Sequence, residues 1–107
     1  MAEGTTISTH VLDTERGQPA AGVSVELYRV DGDAEETLVG GGTTDEDGRI
    51  RSVLFESLES ATYRLTFEID GPFFRTASVT FVVEDTSRSY HVPLLIAPYS
   101  LATYRGS

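Results

Sequence analysis

The sequence predicts an all-β fold, an antiparallel β-sandwich of seven or eight strands with at most one short helix. Three observations carry that expectation. Apolar side chains recur at every second position through most of the chain, the period of a half-buried strand. Between those runs stand glycine, proline and aspartate clusters that favour turns. No long window repeats its apolar residues at helical spacing. The 107 residues are expected to form a single domain, 1–107. A chain of that length buries roughly 60–70% of its unfolded surface, so it needs no metal or disulfide to fold.

Each element follows from its pattern. Ile7, Thr9 and Val11 share one face of a first strand, and Ser8, His10 and Leu12 share the other. Val23, Val25 and Leu27 alternate with Ser24, Glu26 and Tyr28 in a second. Weaker patterns predict strands at 37–44 and 49–54, and a helical turn or two fits around 55–61. Tyr63, Leu65, Phe67 and Ile69 alternate with Arg64, Thr66 and Glu68 in the cleanest run. Ala77, Val79, Phe81 and Val83 repeat it, as do Tyr90, Val92, Leu94 and Ile96. Loops are read at Arg16-Gly17-Gln18-Pro19, Gly40-Gly41-Gly42, Asp47-Gly48 and Asp70-Gly71-Pro72, where Gly supplies positive φ and Pro fixes φ. There is no internal repeat, linker or low-complexity stretch.

The alternation places the chemistry. With Ile7 and Val11 inward, His10 must face away from the core; with Tyr90, Val92 and Leu94 inward, so must His91. These are the only two histidines in the chain. If their strands share a sheet, the imidazoles share a surface with Leu12 and Leu95. An apolar outer sheet face predicts that a partner subunit covers it.

Composition removes several function classes. Eight arginines, no lysine and 17 acidic residues give a formal net charge of −9. Such a surface repels phosphate backbones, which argues against nucleic acid and anionic membranes. A small anion can still bind where a few arginines converge. The absence of cysteine excludes disulfide frameworks, thiolate nucleophiles and Cys-based zinc sites. Met1-Ala2-Glu3-Gly4 has no basic segment leading into an apolar stretch, and no apolar run approaches a membrane span, so the expectation is a soluble cytoplasmic protein.

Several candidate sites can be weighed. Paired histidines suit proton transfer, because imidazole titrates near neutrality. The stretch Thr43-Thr44-Asp45-Glu46-Asp47-Gly48-Arg49 fails as a calcium loop: Leu54 would occupy the last ligand position, which needs a bidentate carboxylate. A turn is the better reading, and it puts Arg49 at the start of the returning strand. Two histidines with scattered carboxylates make a poor metal site. Ser107 can approach a histidine, but no nucleophile-elbow pattern supports covalent catalysis. The ending Tyr104-Arg105-Gly106-Ser107 gathers an aromatic, a guanidinium, a flexible glycine and a serine beside the α-carboxylate. It is expected to form part of the site, completing an outward face beside a neighbouring subunit.

Five segments then align with a known family. Ser8-Thr9-His10-Val11-Leu12-Asp13, Gly17-Gln18-Pro19-Ala20, Asp47-Gly48-Arg49, Tyr90-His91-Val92-Pro93-Leu94-Leu95 and Tyr104-Arg105-Gly106-Ser107 resemble the 5-hydroxyisourate hydrolases, transthyretin-related enzymes of purine catabolism. The terminal tetrapeptide is the most specific of the five. The resemblance implies a transthyretin-like sandwich assembled as a homotetramer, with active sites in the channel between paired dimers. It implies hydrolysis of the N1–C6 amide of 5-hydroxyisourate, a small-molecule substrate, without metal or cofactor. Carried over by motif, His10, Arg49, His91 and the residues from Tyr104 to Ser107 are the functional positions. One departure stands out: Arg75 occupies a place in Gly71-Pro72-Phe73-Phe74-Arg75 where the family often has proline.

Ring opening needs an activated water, a stabilised oxyanion and a proton for the leaving nitrogen. Either His10 or His91 can serve as general base. Arg49 and Arg105 can hold the anionic substrate and the charge that develops on its carbonyl oxygen. Tyr104 can offer a wall to the planar ring, and Ser107 can orient water or a histidine. Two alternatives compete. A small-ligand carrier of the transthyretin type shares the fold, but typically has lysine where this chain has His10 and lacks the terminal tetrapeptide. A sandwich used only for adhesion or interaction leaves the histidines and the terminus unexplained.

Overall fold

The computed structural model describes residues 4–32 and 35–106, so Ser107 lies outside the described residues. The chain runs through β1 (Ile7–Asp13), β2 (Gln18–Pro19), β3 (Ser24–Asp31), β4 (Glu35–Thr43) and β5 (Arg49–Ile50). It continues through β6 (Ala61–Glu68), β7 (Thr76–Val83), β8 (Tyr90–His91), β9 (Leu94–Ala97) and β10 (Ser100–Thr103). One sheet has the order β10–β9–β1–β2, with β5 and β8 also paired to β1; the other has the order β4–β3–β6–β7. The two sheets form the expected sandwich. Among the described residues there is no helix, and hence none long enough to cross a membrane.

Most of the core comes from residues that alternation assigned inward, joined by Val39, Ile50, Val53 and Leu58, while Ile69, Ala77, Val79, Phe81 and Ile96 are only partly buried. Ile7, Val11, Leu27, Leu65 and Phe67 have no exposed surface, and Tyr63 and Leu94 are 1% exposed. Thr9 is also buried; its hydroxyl donates to the Val92 carbonyl at 2.6 Å. That bond matters where Pro93, which has no N–H, interrupts the ladder between β8 and β9. Arg75 has a clear task in the loop after β6. Its guanidinium donates to the Gly71 carbonyl at 2.9 Å and pairs with Asp70, which sits at φ 56°.

Among the described residues, ten strands stand where seven or eight were expected: Gln18-Pro19, expected as loop, pairs as β2, and the strand expected at 49–54 is only Arg49–Ile50. Four further details differ from the sequence expectation. The pairing is not wholly antiparallel, since β1 runs parallel to both β8 and β9. These segments are far apart in the chain, so no hairpin turn dictates their direction. Residues 55–60 form an irregular plug instead of a helical turn. Leu58 is buried there, and the Tyr63 hydroxyl engages both the N–H and the carbonyl of Glu59. A strand with no alternation to announce it, β10, folds back on β9.

The fourth correction concerns Gly40-Gly41-Gly42, which lies inside β4 and is no loop. A β-bulge sets Leu38 and Gly40 opposite Tyr28 and Leu27, leaving buried Val39 as the extra residue. The segment after β5 crosses onto this spot. Val53 donates its N–H to Ile7 in one sheet, and its carbonyl accepts from Gly41 in the other, both at 2.8 Å. A Cβ at Gly40 would collide with that carbonyl. Glycine is here for close approach of backbones.

Gly40→Ala should therefore destabilise the fold by about 3 kcal/mol, the upper range for overpacking. Gly42→Ala, where a Cβ meets only the Ile50 side chain at 3.5 Å, should cost less than about 1 kcal/mol. Urea titrations at one protein concentration would check both, and equal midpoints for the two variants would refute the contact.

Candidate active site

Strand β1 is the middle strand of its sheet and has neighbours on both sides. On one side it pairs antiparallel with β5, so that His10 stands opposite Arg49. On the other it pairs with β8, so that Ser8 stands beside His91. Paired residues in a sheet point to the same face, and residues two apart on one strand do so as well. Ser8, His10, Arg49 and His91 are thus brought to one outward face, as alternation predicted for the two histidines.

Arg49 is delivered by a tight turn. The Asp45 carboxylate accepts the backbone N–H groups of Asp47 and Arg49 at 2.9 and 3.0 Å. Those bonds, chiefly the one from Arg49, hold its carboxyl below the usual carboxylate range, with the charges of Arg51 and Arg49 adding to the effect. Gly48 closes the turn at φ 74°, and its carbonyl accepts from Val11 at 2.7 Å. A side chain at Gly48 would strike the Val11 carbonyl. The turn reading of this acidic stretch holds; among the described residues no cluster of three or more potential ligands could hold a metal ion.

A groove of about 220 Å³ opens on this face, lined by Ser8, Thr9, Arg49, Ile50, Arg51 and His91. His91 is half-buried. Its Nδ1 is hydrogen-bonded to Ser8 Oγ at 2.8 Å. Burial, first, and then the charges of Arg49 and His10 push its pKa below the ordinary 6.5. At neutral pH the imidazole is therefore uncharged and able to accept a proton.

The terminal residues divide. Gly106 donates its N–H to the His91 carbonyl at 2.7 Å, and a Cβ there would lie 2.5 Å from His91 Cδ2. Only glycine lets the chain lie against this ring. Tyr104 and Arg105 instead line a separate apolar cavity of about 250 Å³ with Val79, Phe81, Tyr90 and Val92. The Arg105 guanidinium lies 4.8 Å over the Tyr90 ring. Tyr90 and His91 are consecutive in a strand and face opposite sides. Within one chain, Arg105 on the Tyr90 side does not join Arg49 and His91, as the sequence expectation had it doing. Ser107 lies outside the described residues. Ser8 and Arg51 were missed. For Ser8 the signal was present, since it lies two positions before His10 on a strand.

The family model described as HIUase/Transthyretin matches residues 7–106. The chain belongs to that family. It is 47% identical over 114 residues to a 5-hydroxyisourate hydrolase of Deinococcus radiodurans, covering 94% of this chain and 95% of the relative. The structure of a Klebsiella pneumoniae 5-hydroxyisourate hydrolase superposes with a TM-score of 0.82 at 36% identity, covering 96% of this chain and all of that one. Sea bream transthyretin in complex with thyroxine superposes with a TM-score of 0.85 at 26% identity, over 94% of this chain and 93% of that one. Enzyme and carrier thus share this fold about equally, and within the HIUase/Transthyretin family the site residues must separate them.

Because the fold prefers neutral His91, protonating it costs stability. That contribution is present above the unfolded value near 6.5 and is lost as pH falls through the lower folded pKa. An NMR titration should find the His91 pKa below 6.5, and Arg49→Gln should raise it by removing a cation. An unmoved His91 titration in Arg49→Gln would disprove the coupling.

Proposed function

We propose that this chain hydrolyses 5-hydroxyisourate in urate degradation, opening the N1–C6 amide to give 2-oxo-4-hydroxy-4-carboxy-5-ureidoimidazoline. The observation that carries the reading is the gathering of His10, Arg49 and His91 by strand register on one outward face, where Arg49 and His91 line a groove. A carrier needs a pocket of matching shape; it has no use for a neutral imidazole beside a guanidinium.

His91 is the general base, a role its lowered pKa supports. It takes a proton from water as the water oxygen attacks C6. Arg49 holds the anionic ring and the negative charge that grows on the C6 oxygen. The C6–N1 bond then breaks, C6 becomes a carboxylate, and N1 receives a proton in the ureido product. His10, opposite Arg49, is suited to help bind the ring and to supply that proton. General acid–base help of this kind contributes about 10²–10⁴-fold.

The reading includes a homotetramer with its sites in the channel between paired dimers. Two features support it. The groove is open on its outer side, and Leu12 and Leu95 lie side by side on the same outward face. Substrate contacts from Tyr104 and Arg105, and water orientation by Ser107, belong to that assembled form, because in one chain the first two line another cavity.

Generating 5-hydroxyisourate from urate in situ and following its ultraviolet decay tests the reaction. The protein should accelerate the decay, and a rate equal to spontaneous hydrolysis would end this proposal. His10→Ala, Arg49→Ala and His91→Ala should each lower the rate at least about tenfold. A variant with near-normal turnover removes its residue from the mechanism.

A further inference from the structure

We infer that Ser8 is a positioning residue: its hydroxyl oxygen accepts the Nδ1–H of His91 and thereby presents Nε2 to the groove as the basic nitrogen. The inference rests on the proposed role of His91 and deepens it.

Neutral imidazole carries one proton, and its two nitrogens cannot both be acceptors. Nδ1 of His91 lies 2.8 Å from Ser8 Oγ, in hydrogen-bond contact. The nitrogen left to meet a water or substrate in the groove is Nε2. If Nε2 carried the proton, His91 would face the groove as a donor only, and its one basic site would be spent on Ser8. A base at this position requires the Nδ1–H tautomer, and the Ser8 oxygen is the acceptor that stabilises it. The same bond survives when Nε2 takes a proton, because the imidazolium keeps its Nδ1–H. Ser8 therefore supports both the resting and the proton-bearing state without moving.

The bond is fixed by the backbone on both sides. Ser8 and His91 are register partners in the parallel pair of β1 and β8, so their Cα atoms are set by the sheet. On another side of the ring, Gly106 is held to the His91 carbonyl, and its missing Cβ is the space that the ring occupies. The imidazole is caught between a hydroxyl on its sheet neighbour and the terminal strap. Arg49 from β5 and His10 from β1 also act on this imidazole, and a guanidinium has no lone pair with which to accept the Nδ1 proton. The serine oxygen is the neutral acceptor the site needs. Burial of Thr9 and its 2.6 Å bond to the Val92 carbonyl hold the two strands in this relation.

The test is long-range ¹⁵N–¹H NMR of the intact protein at about pH 8, where His91 is neutral. Nδ1 of His91 should show a protonated signature and Nε2 an unprotonated one. In Ser8→Ala the two signatures should move toward an average, and kcat should fall about tenfold with KM within about twofold. Ser8→Thr, which restores a hydroxyl, should recover both the spectrum and kcat. A protonated Nε2 in the parent protein would overturn the inference, as would a Ser8→Ala variant with unchanged spectrum and turnover. If the spectra behave as stated but His91→Ala keeps full activity, the tautomer control by Ser8 stands and the base assignment fails.

Discussion

The position of β1 between neighbours on both sides is the constraint from which the site follows. One strand supplies Ile7, Thr9 and Val11 to the core and Ser8 and His10 to the opposite face. Its antiparallel partner β5 sets Arg49 beside His10, and its parallel partner β8 sets His91 beside Ser8. A one-residue slip of β1 would bury His10 and expose Ile7, so the hydrophobic core itself enforces the alignment of the polar groups. Burial of three aliphatic or threonine side chains thus does the positioning that a loop-borne site would need extra hydrogen bonds to achieve.

The second support is the crossing at Val53. Its N–H serves one sheet and its carbonyl the other, so this segment ties the layer that carries the site to the layer behind it. The crossing follows directly from β5, whose first residue is Arg49. Close approach at Gly40 and the tight Gly48 turn therefore bracket Arg49, one after it through Val53 and one immediately before it. Two glycines chosen for space determine where a guanidinium stands.

These origins explain what the sequence disclosed and what it hid. Period-two alternation is a local property, so the inward and outward faces of β1, β6 and β8 could be read directly, and with them the outward direction of both histidines. The turn at Asp47-Gly48 was equally local, because an aspartate that accepts nearby N–H groups and a glycine at positive φ are neighbours in the chain. The parallel pairing of β1 with β8 and β9 joins distant segments and leaves no local mark. Gly40-Gly41-Gly42 misled because glycine signals both a free φ and a close contact, and only the Val53 carbonyl distinguishes the two. Arg105 enters the candidate site through the terminal motif Tyr104-Arg105-Gly106-Ser107 and its guanidinium, neither of which tells which side of the strand it takes. In the folded chain the alternation of Tyr90 and His91 sends Arg105 and Gly106 to different sides.

The electrostatics of the groove contain a tension that its neighbours resolve. For a chain of net charge −9 to hold the anionic ring of the proposed substrate, cations must be concentrated locally, and Arg49 and Arg51 line the groove. Burial and then the same Arg49 lower the His91 pKa, which favours the neutral imidazole but also makes it a weaker base. An acceptor on Nδ1 acts in the opposite sense, since it stabilises the imidazolium at the moment a proton arrives. Under the proposed function, an anionic substrate would add to that effect by offsetting the guanidinium once bound. On the proposed mechanism, free enzyme and complex would then differ in the basicity of His91, with the stronger base present only when there is a ring to open.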